Sequence, residues 1–240
     1  MSKHARTYKG VFLDWDDTIG DWNTAEHKAL RDIYEAYHLD ALYPTLEDYI
    51  AAYKPYNLEL WGRYGRGEVS KETLHFERFY RPLQGLNIAA EQKVALAHEI
   101  GDAFLQLTNK HFTLMPDAER VIPYLAAKYP LTIVSNGFRE VQYYKFAHSG
   151  LERYLTHTLI SDEIGINKPQ PELFRIALAR NGLQADEVIM IGDSYSSDIQ
   201  GAKNAGIDQL WIRMDNDHPA DDDQTATFIV HSLAEVMNIL

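Results

Sequence analysis

Val11-Phe12-Leu13-Asp14-Trp15-Asp16-Asp17-Thr18 carries three consecutive apolar residues straight into an acidic turn. The apolar run reads as a short strand, and the acidic turn is what leaves it. Further runs of this kind occur at Leu131–Val134, His157–Ile160, Val188–Ile191, Gln209–Ile212 and Phe228–Val230. Helical patterns over 117–128, 139–148, 171–181, 197–205 and 232–239 lie between or after them. This alternation predicts an α/β fold, a parallel sheet with helices on both faces. Right-handed crossovers then gather the strand C-terminal ends along one edge, where open sheets bind ligands.

From about Ala25 to Lys110 only helical periodicity is present, broken at Pro44, Pro55, Gly62 to Gly67 and Pro82 to Gly85. This predicts an inserted helical bundle. Within it, Leu60 to Glu68 holds three glycines, two arginines and two aromatics, and reads as a flexible polar connection between helices.

The 240 residues bury a substantial core in one domain or two. A formal charge of −12 argues against a nucleic acid polymer or an anionic membrane as partner, but not against a small anion met by a local cation. There is no cysteine, so disulfides and thiolate zinc sites are excluded. The N-terminal stretch has no apolar leader and no long apolar run follows, so a soluble cytoplasmic protein is expected. Asp215 to Asp223 holds five aspartates without the glycine and terminal glutamate of a calcium loop, and reads as solvated.

Four short motifs carry chemistry. Asp14 and Asp16 leave the first strand two residues apart; one carboxylate can attack phosphorus and the other can protonate an alkoxide. The same five residues also suit a polar turn capped by Thr18. Ser135-Asn136-Gly137 follows the second strand, where a hydroxyl and backbone N–H groups suit a phosphoryl oxygen, although the triplet is also an ordinary turn. Lys168 stands between Asn167 and Pro169, fixed before a helix; alone it would read as a surface lysine. Gly192-Asp193 through Asp198 follows Val188–Ile191 and offers hard carboxylates for Mg²⁺, while Asp198 also suits a helix N-cap or a first-turn acid. Three of the four follow apolar runs directly, and Lys168 lies beyond another. Together they outweigh their separate alternatives.

These motifs resemble the haloacid dehalogenase superfamily over essentially the whole chain. The family pattern is D-x-D-x-T/V, a Ser/Thr after strand two, a Lys before a later helix, and G-D-x-x-x-x-D. It falls here on Asp14/Asp16/Thr18, Ser135, Lys168 and Gly192/Asp193/Asp198. The resemblance implies a Rossmann-like core over residues 1–19 and 114–240 and an α-helical cap over 20–113. It implies a phosphatase acting on a small phosphorylated metabolite. Asp14 would be nucleophile and metal ligand, Asp16 acid/base and ligand through its carbonyl, and Lys168 catalytic and phosphate-binding. Ser135, Asn136 and Gly137 would hold the phosphate, and Asp193 would bind Mg²⁺ through its side chain, with Asp198 a further ligand or a group that orients the ligands. Most phosphatases of the family carry Gly at the position of Asp17; an acidic residue there is similar to a branch acting on pyrimidine nucleoside monophosphates.

Selectivity is expected from the cap. Arg63, Arg66 or Arg78 are candidate substrate contacts, and Trp61 or Tyr64 candidate stacking partners; alternatively the aromatics pack the cap and the arginines are solvated. A phosphomutase shares the motifs, a haloacid dehalogenase shares the nucleophile but has no task for Asp16, and a phosphoaspartate switch protein would not need the cap.

Overall fold

The computed structural model describes residues 7–213 and 226–240, so the aspartate-rich stretch 215–223 lies outside the described residues. The chain divides into two compact units, Met1–Asp21 with Leu114–Leu240, and Trp22–Thr113. In chain order the first unit opens with β1 (Gly10–Leu13). The second unit follows with α1 (Trp22–Ala36), α2 (Leu46–Gly65), α3 (Lys71–Leu83) and α4 (Ala90–Lys110). The first then resumes with α5 (Ala118–Ala126), β2 (Leu131–Ser135), α6 (Arg139–Ser149), β3 (His157–Ile160) and α7 (Ser161–Ile164). It ends with α8 (Pro171–Asn181), β4 (Val188–Gly192), α9 (Gln200–Asn204), β5 (Asp208–Ile212) and β6 (Phe228–Val230).

The six strands form one parallel sheet in the order β3-β2-β1-β4-β5-β6. Every residue of β1, β2, β4 and β5 is buried, which explains why these strands do not alternate apolar with exposed polar residues. Phe12, Val134, Val188 and Met190 share one core with Leu173, Phe174 and Ala177 of α8 and Ala202 of α9. Helix α5 buries Ala118, Val121, Ile122 and Leu125, the i, i+3, i+4, i+7 stripe of an amphipathic helix. The C-terminal helical pattern is realised as a 3₁₀ helix, Leu233–Asn238, tied to α5 by the Tyr124 hydroxyl donating to the Met237 carbonyl at 3.3 Å.

The helical unit corrects two expectations. Helix α2 runs through Pro55 and continues to Gly65, so the flexible connection expected at 60–68 shrinks to the few residues before α3. The proline costs a helix about 3 kcal/mol. Against that, α2 buries Tyr49, Tyr53, Leu60 and Tyr64 on one stripe, each contributing about 1.5–3 kcal/mol. Packing wins. Tyr53 stacks on Phe79 at 5.2 Å, and Phe104 closes the cluster against both rings.

Candidate functional site

The ladder between β1 and β4 runs one residue past β1: the Asp14 N–H donates to the Ile191 carbonyl at 2.9 Å. Asp14 is thereby held at the sheet edge. The chain then turns tightly, with the Trp15 carbonyl accepting from the N–H groups of Thr18, Ile19 and Gly20, and the Asp17 N–H donating to the Gly20 carbonyl at 2.7 Å. This turn puts Asp17 at φ 59°, a left-handed conformation that Asp tolerates and glycine adopts freely. The Thr18 hydroxyl donates to Asp193 Oδ1 at 3.2 Å, tying the first motif to the fourth.

Beyond β4 the backbone widens into a π-helical turn, Tyr195–Ile199, before α9. The Ser194 side chain caps this turn, so Asp198 is not its cap. Asp198 is fully buried, accepting from the Ser194 N–H at 3.1 Å and the Ser197 hydroxyl at 3.3 Å. Lys168, also buried, bridges Asp14 and Asp198; its ammonium lies 2.7 Å from Asp198 Oδ1 and hydrogen-bonds to Asp14 Oδ1. Asn136 fixes the backbone of that lysine. Its side-chain oxygen accepts from the Lys168 N–H at 2.8 Å, and its side-chain nitrogen donates to the Lys168 carbonyl at 2.9 Å. The Gly137 N–H donates to the buried Ser135 hydroxyl oxygen at 3.1 Å.

Carboxylate oxygens of Asp14, Asp193 and Asp198 all lie within 4.8 Å of one another. Burial pushes the Asp14 carboxyl up to about 7; Lys168 pulls it down, and the charges of Asp198 and Asp16 push it up again. Asp193 is raised well above the usual carboxylate range by desolvation, then by the charges of Asp14, Asp198 and Asp17. Burial alone would lower the Lys168 ammonium, but the carboxylates on either side outweigh it and raise it. Three crowded carboxylates, with the ionised forms of Asp14 and Asp193 disfavoured, fit a small divalent cation, which would offset their charges at once.

The cluster leaves no room at Gly192. A Cβ there would stand 2.3 Å from Asp198 Oδ2 and 2.7 Å from its Cβ. Asp198 is pinned by Lys168 and cannot retreat. Gly192→Ala is therefore expected to destabilise the fold by about 1–3 kcal/mol, measured as a lowered urea midpoint. An unchanged midpoint would mean that the Asp198 loop is softer than its contacts indicate.

The Asp16 carboxylate is engaged elsewhere. Gln142 Nε2 donates to its Oδ2 at 2.6 Å, and Lys145 Nζ to its Oδ1 at 2.5 Å. Sequence reading missed both residues. The signal was available: on a helical wheel they fall within the buried stripe of Val141 and Phe146, where an amide and an ammonium are out of place.

In the helical unit, Arg78 is neither solvated nor exposed to a substrate within that unit. It is 1% exposed, with its guanidinium over the Phe79 and Phe104 rings at 5.0 and 4.8 Å. Arg66 pairs with Glu68, and Arg63 lies near Glu59 and Glu68. Tyr64 is buried with Trp61 edge-on against it.

The profile of the haloacid dehalogenase-like hydrolases matches residues 8–206. A HAD-hydrolase of Bacillus subtilis (strain 168), YfnB, is 30% identical over 98% of this chain and 96% of its own. A magnesium-bound crystal structure of YfnB superposes with a TM-score of 0.84 at 28% identity, covering 98% of this chain and 99% of that one. Two pyrimidine 5'-nucleotidases are also similar. YjjG of Escherichia coli (strain K12) is 27% identical over 96% of both chains. PynA of Streptococcus pneumoniae (strain ATCC BAA-255 / R6) is 30% identical over 97% of this chain and 95% of its own.

Proposed function

The chain belongs to the haloacid dehalogenase-like hydrolase family, and from that premise we propose a Mg²⁺-dependent phosphatase that works through an aspartyl phosphate on Asp14. It is a phosphoric monoester hydrolase, as its nucleotidase and phosphatase relatives indicate. The observation that carries the finer reading is the convergence of Asp14, Asp193, Asp198 and Lys168 at one sheet edge.

Mg²⁺ would be held by the carboxylates of Asp14, Asp193 and Asp198 and the Asp16 backbone carbonyl, where it supplies Lewis-acid stabilisation of phosphoryl charge. Lys168 offsets the repulsion between the Asp14 carboxylate and a dianionic phosphate. The Ser135 hydroxyl and the Asn136 main-chain N–H are assigned the phosphoryl oxygens, since the Asn136 side chain holds Lys168 and the Gly137 N–H holds Ser135. Asp14 attacks phosphorus as the ester P–O bond breaks, and Asp16 gives its proton to the departing oxygen. Asp16 then takes a proton from water as that water attacks the acyl phosphate, which releases phosphate and restores Asp14. A leaving halide would need no proton, so the dehalogenase alternative gives Asp16 no work.

We assign residues 22–113 the role of cap. Nucleoside 5'-monophosphates are the proposed substrates among small phosphate esters, supported by the similarity to YjjG and PynA and by Asp17. With Mg²⁺ present, purified protein is expected to release phosphate over many turnovers from an aryl phosphate, and faster from pyrimidine than from sugar monophosphates. A single stoichiometric burst would indicate a phosphoaspartate switch instead. Equal rates across the panel would remove the nucleotide assignment.

A further inference from the structure

Gln142 and Lys145 leave α6 three residues apart, on the same face, and both end on one carboxylate. Each Asp16 oxygen receives its own donor. The arms are buried, 0% exposed for Gln142 and 2% for Lys145, whereas the Asp16 side chain keeps 27% exposure. The held group reaches solvent and its holders do not. Burying an amide and an ammonium within an otherwise apolar stripe is costly unless both are partnered, so the fold gains nothing from them as packing.

The second motif is shaped around one of these arms. A Cβ at Gly137 would stand 1.8 Å from Gln142 Nε2 and 2.7 Å from its Cδ. Only glycine lets that side chain cross to Asp16.

We propose that Gln142 and Lys145 are positioning residues, which fix both oxygens of Asp16 so that its proton is aimed at the leaving group. This rests on the reading of Asp16 as acid and base. A terminal carboxylate torsion is broad and nearly two-fold, so an unheld Asp16 would spend much of its time misaimed. A carboxylate oxygen accepts more than one hydrogen bond, so the two donors leave lone pairs for the proton it transfers.

The test is a series of aryl phosphates of falling leaving-group acidity, run with Mg²⁺ on Asp16→Asn, Lys145→Met, Lys145→Arg, Gln142→Leu and the Asp16→Asn/Lys145→Met double variant. Asp16→Asn should lose most with the poorest leaving groups. Lys145→Met is expected to lower kcat by about tenfold to a hundredfold for phenyl phosphate but under about threefold for nitrophenyl phosphate, with KM within about twofold. Lys145→Arg should recover most of that loss, and Lys145→Met should cost nothing further in the Asp16→Asn background. Gln142→Leu carries the same expectation through the other arm if Lys145→Met does not fold. A loss equal across all leaving groups, or additive with Asp16→Asn, would overturn the positioning role while Asp16 itself stood. A flat response of Asp16→Asn would overturn the acid/base reading and this proposal with it.

Discussion

Asp14→Asn is expected to lower phosphate release from every ester by about four orders of magnitude or more, with the fold intact. A neutral amide cannot displace an alkoxide at phosphorus, and among the described residues the other carboxylate paired with Lys168 is the buried Asp198, beyond β4. Stability should move the other way. Burial raises the Asp14 carboxyl from 3.8 to about 7, so the folded chain holds that proton where an unfolded chain would release it. The stability linked to this proton is fully present below the unfolded value and is lost as pH rises through about 7. Above that, the ionised group strains the folded state. The variant lacks this titration, and in EDTA at alkaline pH its urea midpoint should equal or exceed that of the parent. Turnover within about tenfold of the parent would place the nucleophile elsewhere. Lost turnover with a collapsed midpoint would make Asp14 a structural residue.

Chelation is the second large effect. Treatment with EDTA should reduce kcat/KM by at least about a hundredfold, since a bound divalent ion supplies several kcal/mol of transition-state stabilisation. The charge balance motivates it: among the described residues, Asp14, Asp193 and Asp198 present three carboxylates around the Lys168 ammonium, and a dianionic phosphate would add to them. Added Mg²⁺ should restore the rate. It should also raise unfolding free energy by about 2.7 kcal/mol at a hundred times its dissociation constant, a readout that needs no substrate. Full turnover after exhaustive chelation, or a melting curve indifferent to Mg²⁺, would remove the ion from the site.

The sheet could be read from the sequence because β1, β2, β4 and β5 are buried along their whole length, so each carries an apolar stretch that ends in a turn. The motif residues at those turns could be read for the same reason: they come where the apolar run stops. The helical unit was less legible. Pro55 and the glycines near 62–67 are honest breakers locally, but the aromatic stripe of α2 outweighs them, and that stripe is apparent only once α3 and α4 supply its partners. Gln142 and Lys145 escaped notice because they belong to no turn. They lie in mid-helix, where polar residues usually face water, and their partner Asp16 is 126 and 129 residues away in the chain. Asn136 stood out in the sequence as a candidate phosphate contact, but its clamp on Lys168 was not legible, since that pairing spans 32 residues.

Where the helical insert departs and returns, the chain is fastened to itself: Gly20 bridges Leu114, and the Met115 N–H donates to the Ile19 carbonyl at 2.8 Å. Both stumps are thus pinned a single strand spacing apart by main-chain bonds that no side chain specifies. Whatever occupies the gap need only begin and end at neighbouring points. Such a socket tolerates exchange of the segment between the stumps without disturbing the sheet that anchors them.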